Sequence, residues 1–456
     1  MRATRTTTTA LAGLASLAFL ATACTSGSPA TSSTETSATT PSTVAPSAVP
    51  APSSALAPTA SPTHVPASPD AWLAVGRKGA SGLEVILAST REQMLELPIG
   101  VPTNPRWGSL ITAEVRPGST NVRDLVVQPG FGGDATTIDG SWRMPTIGPD
   151  PVPVGMSIDG QTIVLAENVD PGTNGLTRFA ILKRGFPKEP LIVELPGRFD
   201  YDTLSPEGRV LYVIEHLDSD TGGRYQVRAV DLVGGKLRDG VIVDKTGVDE
   251  AMAGYPLAQV RRPDGGVLTL YRGKERPFIH ALNSVDAWAL CVDLPADRAD
   301  DATAAADWGL AQTPDGRTLY AVNATLGLVV EVDPANFAIS RSTRVDPLAG
   351  SAIVLAKFGH QESGPTGRRV VVAPDGLTIY AAGTGGILAI ATSDLAVTGK
   401  FESGTAIGAL AVTPDGGTLF ALRKDGHIVK LDAATGHPEA IVPGADYDRL
   451  VAVVPW

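Results

Sequence analysis

The chain has 456 residues and is acidic, with 37 Lys and Arg against 48 Asp and Glu and a net charge of −11. That balance excludes a nucleic-acid partner, which needs a basic stripe, and electrostatic docking on anionic lipid. With only two cysteines, Cys24 and Cys291, the paired-cysteine zinc templates are excluded by number.

The N-terminus carries Arg2 and Arg5, followed by the uncharged run 10–23. A positive start, an apolar stretch shorter than the ~18–20 residues of a spanning helix, and small residues at its end describe an export signal over residues 1–23. The stretch closes Leu20-Ala21-Thr22-Ala23-Cys24. This resembles the lipobox of bacterial lipoproteins, with one departure: Ala21 stands three residues before the cysteine, where leucine is usual. The resemblance implies cleavage before Cys24, a diacylglycerol on its thiol, and an anchor at the outer face of the cytoplasmic membrane. Cys291, in the apolar stretch 288–292, is then left without a disulfide partner and reads as a buried strand thiol.

Residues 25–69 are almost entirely Ser, Thr, Ala and Pro, with Glu35 and His64 as the only ionisable side chains. Such a segment buries too little apolar surface to offset chain entropy. With Cys24 it reads as a lipidated, disordered tether over residues 24–69, spanning about 35–40 Å as a coil. Texture changes at Asp70, and residues 70–456 read as one all-β domain of short apolar runs separated by Gly, Pro and Asp. The segment 300–306 is the best short helical candidate.

An internal repeat decides the architecture. Pro206-Glu207-Gly208, Pro263-Asp264-Gly265, Pro314-Asp315-Gly316, Pro374-Asp375-Gly376 and Pro414-Asp415-Gly416 each precede an apolar residue by the same spacing: Leu211, Leu268, Leu319, Ile379 and Leu419. A sixth copy, Ile158-Asp159-Gly160 with Ile163, lacks the proline. In four copies an aromatic follows: Tyr212, Tyr320, Tyr380 and Phe420. Proline presets the first central position of a type I turn, Asp tolerates the second, and Gly takes the left-handed position that returns the strand. Each copy is therefore a tight hairpin. The glycines recur about every 40 to 60 residues, the length of a four-stranded propeller blade with variable loops.

The last copy reads as strands 407–412, 418–423, 427–431 and 439–442, after which one more apolar strand, 450–454, ends the chain. The domain begins with strands 72–75 and 83–88 and no preceding hairpin. The C-terminal strand is therefore expected to complete the N-terminal blade, removing open sheet edges. Seven blades are expected, or eight if residues 71–150, with their Pro117-Gly118 turn, supply two.

The repeats TPDGRTLYAVN, APDGLTIYAAG and TPDGGTLFALR resemble those of YVTN-type and quinoprotein-amine-dehydrogenase-like propellers, a sister group to WD-repeat proteins. The resemblance covers about residues 150–456. It implies a β-propeller. The same superfamily holds surface-layer and binding proteins, lactonases and redox-enzyme subunits, so fold alone does not choose a function.

Candidate chemistry is sparse. Turn geometry alone accounts for the hairpin aspartates. Asp218 and Asp220, in Asp218-Ser-Asp-Thr-Gly-Gly223, resemble the start of a calcium loop, but the bidentate carboxylate such a loop needs further on is missing. His216, His280, His360, His427 and His437 form no short-range pair. No Gly-x-Ser-x-Gly elbow or phosphate-cradling loop occurs. The tryptophans read as packing between blades, apart from Trp142, read as surface-exposed. The expectation is a binding or scaffold module without cofactor, catalytic site or resident metal, partnered by the membrane through its lipid and by a protein or cell-envelope ligand. The alternative is an enzyme of lactonase or redox-subunit type, with residues from different blades meeting in the central channel.

Overall fold

The computed structural model describes residues 70–454, apart from 81, 105–106, 127–132, 151, 170–174, 187, 219–222, 243–250, 274–275, 296–306 and 349–365. The export signal, the tether, Cys24, Asp220 and the segment 300–306 lie outside the described residues. Among the described residues there is no helix.

The hairpins form as the turn chemistry requires. In the 313–318 copy the Gly316 N–H donates to Thr313 O at 2.9 Å, and the Arg317 N–H donates to Asp315 Oδ1 at 3.1 Å. The 413–418 copy repeats both bonds at 2.9 and 3.0 Å. Asp159, Asp264 and Asp375 likewise each accept the N–H two residues on. These carboxylates are occupied in shaping turns.

Strands joined this way form successive antiparallel four-stranded runs. The first pairs Tyr447–Val454, Trp72–Arg77, Gly82–Leu87 and Gln93–Pro98 in that order, with Thr366–Gly367 parallel to its outer edge. The second is Gly100–Pro102, Ser109–Arg116, Ser119–Val126 and Ala135–Asp139, with Pro117-Gly118 as its central turn. The third is Trp142–Arg143, Thr162–Glu167, Leu176–Lys183 and Leu191–Pro196. The fourth is Phe199–Leu204, Val210–His216, Arg224–Asp231 and Lys236–Leu237. The fifth is Met252–Arg261, Gly266–Gly273, Pro277–Asn283 and Trp288–Asp293, bonded to the fourth through Arg224↔Ala253 and Tyr225↔Met252. The sixth is Trp308–Gln312, Leu319–Asn323, Leu328–Asp333 and Ala338–Arg344. The seventh is Val370–Val372, Thr378–Gly383, Gly386–Ala391 and Val397–Phe401, and the last is Ile407–Val412, Thr418–Arg423, Ile428–Asp432 and Pro438–Ile441. Residues 71–150 thus contribute to two runs.

Period-two alternation leaves each run with two apolar faces, and the core is the set of layers between neighbours. Leu257 and Leu268 pack with Trp308 and Leu310, and Tyr380 and Ile387 with Leu410 and Leu419. Leu73 and Val75 of the first run pack with Ala409 and Phe420 of the last. Tyrosines tie the layers at their ends. Tyr212 Oη donates to Ser284 O at 3.0 Å, and Tyr380 Oη donates to Ala433 O at 2.8 Å, each reaching the following run. Hairpins also stack: a Cβ added at Gly265 would meet Pro206 of the previous hairpin at 3.0 Å.

Candidate functional site

A cavity of about 260 Å³ opens among strands of the third, fourth and fifth runs and the loop 145–148. Two local features shape it. The first is a β-bulge: pairing between Phe199–Leu204 and Val210–His216 shifts between Tyr201 and Thr203, leaving Asp202 unopposed. Bulges re-aim side chains, and here Tyr201, Asp202 and Thr203 are all buried in succession. The second is the approach of the loop to the fifth run. Gly148 has φ +53°, and a Cβ there would lie 2.2 Å from Pro256 O, so only glycine lets the loop lie against this strand.

The floor is polar. Gln259 Nε2 donates to Asp202 Oδ1 at 3.2 Å and to Thr269 Oγ1 at 3.0 Å. Asp202 is 2% exposed, and among the described residues its Oδ2 has no hydrogen-bond partner. Burial pushes its carboxyl up to about 7, against the Gln259 hydrogen bond and the charge of Arg261. Arg261 donates from Nη1 to Met156 O at 2.6 Å and does not hydrogen-bond Asp202. Tyr225 and Tyr271 stack with ring centroids 5.1 Å apart, and burial holds both phenols well above their ordinary value.

At the mouth, opposite charges neutralise one another. His216 Nε2 and Asp200 Oδ2 lie 2.7 Å apart. Burial raises the Asp200 carboxyl, but the His216 hydrogen bond and the charges of His216, Arg198 and Arg143 outweigh it and leave it below its ordinary value. Arg178 pairs with Glu167 and Glu194 at 3.0 Å each.

Several expected positions fall elsewhere. Asp218 accepts the Arg224 backbone N–H at 2.8 Å and pairs with its guanidinium at 3.1 Å; these bonds hold its carboxyl below the ordinary range. It closes a hairpin. Cys291 is half-buried rather than buried, its Sγ 3.5 Å from Met252 Sδ. Trp142 corrects the sequence reading: it is 2% exposed, not on the surface. Its Nε1 donates to Asp139 O at 2.6 Å, and the Arg178 guanidinium lies 5.8 Å from its ring centre. The loop-like Gly-Ser before it caps a strand that turns inward. Among the described residues no three His, Cys, Asp or Glu side chains are grouped to hold a metal ion.

Asp202 escaped the sequence reading although a signal existed. Four residues before the hairpin proline stand Leu310, Val370 and Leu410 in the last three copies, all buried. The fourth and fifth runs place Asp202 and Gln259 there, and these two bond to each other.

No family model matches the sequence, and no curated protein matches it. Solved structures do match. Dihydro-heme d1 dehydrogenase NirN, in complex with DHE, is 15% identical, covering 86% of this chain and 77% of its own, with a TM-score of 0.50. Apo AztD from Citrobacter koseri is 13% identical, covering 84% and 96%, with a TM-score of 0.50. The fold is a β-propeller. The propeller's likeness to these structures concerns the fold alone.

Proposed function

We propose that this chain is an eight-bladed binding propeller, tethered to the outer face of the cytoplasmic membrane through a lipid on Cys24, that takes a small ligand in the cavity between its third, fourth and fifth blades. The observation that carries the binding reading is the cavity floored by Asp202, a buried carboxylate with an open oxygen. Buried polar groups are ordinarily satisfied, so an open carboxylate in a cavity is a receptor for something. The blade count is supported by the apolar layers between successive runs, including the one joining Leu73 and Val75 to Ala409 and Phe420. The strand Tyr447–Val454 completes the first blade and closes the ring.

Two experiments test the two halves. Mass spectrometry of the mature N-terminus is expected to find diacylglycerol on Cys24; an unmodified Cys24 or cleavage elsewhere overturns the anchor, while deletion of residues 25–69 should leave the domain folded. For the cavity, a fragment screen by ligand-observed NMR is expected to give hits that disappear in Thr146→Trp, which fills the exposed lip. Hits unaffected by that substitution, or no hits at all, overturn the cavity as the binding site.

A further inference from the structure

We infer that the cavity is a receptor for a small organic cation, a primary ammonium group that Asp202 receives against the tyrosine wall. This rests on the cavity being the binding site and adds the chemical class of the ligand.

The argument starts from what Asp202 lacks. One carboxylate oxygen accepts from Gln259 and the other accepts from nothing among the described residues. A carboxylate taken out of water needs a cation or further donors. The cation whose charge acts on Asp202, Arg261, donates from Nη1 to the Met156 carbonyl, has no hydrogen-bond partner at Nε and Nη2 among the described residues, and does not line the cavity. Asp202 itself lines the cavity, so a ligand there reaches its open oxygen directly. There the walls include Tyr225, Tyr255 and Tyr271. Tyr271 is stacked between Tyr225 and Phe278, and Arg272 lies 5.8 Å from the Tyr255 ring centre, so the ring faces left to attract an ammonium group are the second faces of Tyr225 and Tyr255. The volume, about 260 Å³, lies just below the ~300–1,000 Å³ of ordinary ligand pockets, so the occupant is smaller than a drug-sized molecule.

The rest of the lining does not ask for an anion. Arg178 is held by Glu167 and Glu194. Arg143 and Arg198 face Asp200, which also bonds His216. Among the described residues, Asp202 is the one lining carboxylate without a cationic partner in contact.

Ligand entry should also displace a proton. Burial pushes the Asp202 carboxyl up to about 7, and an ammonium is received only by the ionised form. Among the described residues the charged or titratable groups acting on Asp202 are Arg261 on the fifth blade, Tyr201, Tyr212 and Tyr225 on its own blade, and Tyr271 beside it. The arginine stays charged and the phenols neutral across pH 6–8. At the mouth, His216 and Asp200 form a pair 2.7 Å apart.

The test uses three probes of one shape: 2-phenylethylamine, 2-phenylethanol and phenylacetate, titrated calorimetrically into the intact domain. The amine is expected to bind saturably and the other two at least about tenfold more weakly, with Asp202→Asn removing that preference. Affinity for the amine should rise by up to about tenfold per pH unit from pH 6 to 7 and level off above it. This dependence should vanish in Asp202→Asn and persist in His216→Gln. Binding of the alcohol or the acid in place of the amine, or an amine affinity indifferent to Asp202→Asn, overturns the cation inference and leaves the cavity a binding site. Binding by none of the three overturns the inference, and the fragment screen then decides the cavity itself.

Discussion

Asp202 costs the protein stability as it stands, and the sign of that cost is readable. Its folded-state carboxyl titrates at about 7, above the ordinary aspartate value of 3.8. Between those limits the folded state holds a proton that the unfolded chain has lost. Folding stability therefore falls as pH rises from about 4 to about 7, and is flat beyond. The full span corresponds to roughly 4 kcal/mol. Asp202→Asn keeps the acceptor for Gln259 and removes the charge. The variant is expected to be more stable than the parent at pH 8, the difference shrinking to near zero at pH 4. Urea unfolding of both chains at the two pH values measures this. Asp150, also raised by burial, contributes equally to both chains and cancels in the comparison. An unchanged difference across pH would mean that the carboxylate is solvated despite its 2% exposure.

At the level of the blade, the repeat motif carries more than a turn. The hairpin glycines combine a left-handed φ with contact to a neighbour. Gly265 has φ +86°, and an added Cβ would stand 2.7 Å from Val285 and 3.0 Å from Pro206, whereas at Gly416, φ +75°, the nearest atom is Pro374 Cδ at 3.5 Å. Alanine at Gly416 is expected to cost about 1 kcal/mol of backbone strain. At Gly265 it should cost at least about twice that, because a hairpin must also shift. Tyr380→Phe removes the donor to Ala433 O and should cost about 1 kcal/mol, as should Tyr212→Phe at Ser284. Denaturant midpoints at constant slope check all four. These features were legible because they are local: the turn, the glycine and the following aromatic sit within a few residues. The cavity was not, because its walls come from three runs and a loop that only packing brings together. Its floor was half-legible, since Asp202 and Gln259 break an apolar position kept by Leu310, Val370 and Leu410. Trp142 misled because glycine and serine before it suggest exposure, and nothing local reveals that Asp139 and Arg178 enclose the ring.

For the whole molecule, the strand Tyr447–Val454 is the piece that joins the end of the chain to its first run. It pairs with Trp72–Arg77 along its length, and Arg449 donates to Ala80 O at 2.6 Å. Its Tyr447, Leu450, Val451 and Val454 are buried in the layers on both sides of the first blade. Each such side chain contributes about 1.5–3 kcal/mol by burial, so the strand as a unit stabilises by an amount comparable to the ~5–15 kcal/mol that holds a typical domain folded. A chain ending at Asp446 is accordingly expected to be unfolded or aggregated, with the Trp72–Arg77 edge left unpaired. The outer strand of the preceding blade is the control. Pro438–Ile441 is exposed at every residue, and Ile441→Lys should change stability by no more than about 0.5 kcal/mol. Size-exclusion chromatography and circular dichroism of the two variants separate the cases. A soluble, folded truncated chain would mean that the first blade stands on three strands, and that the last and first blades hold together through side-chain packing without the shared strand.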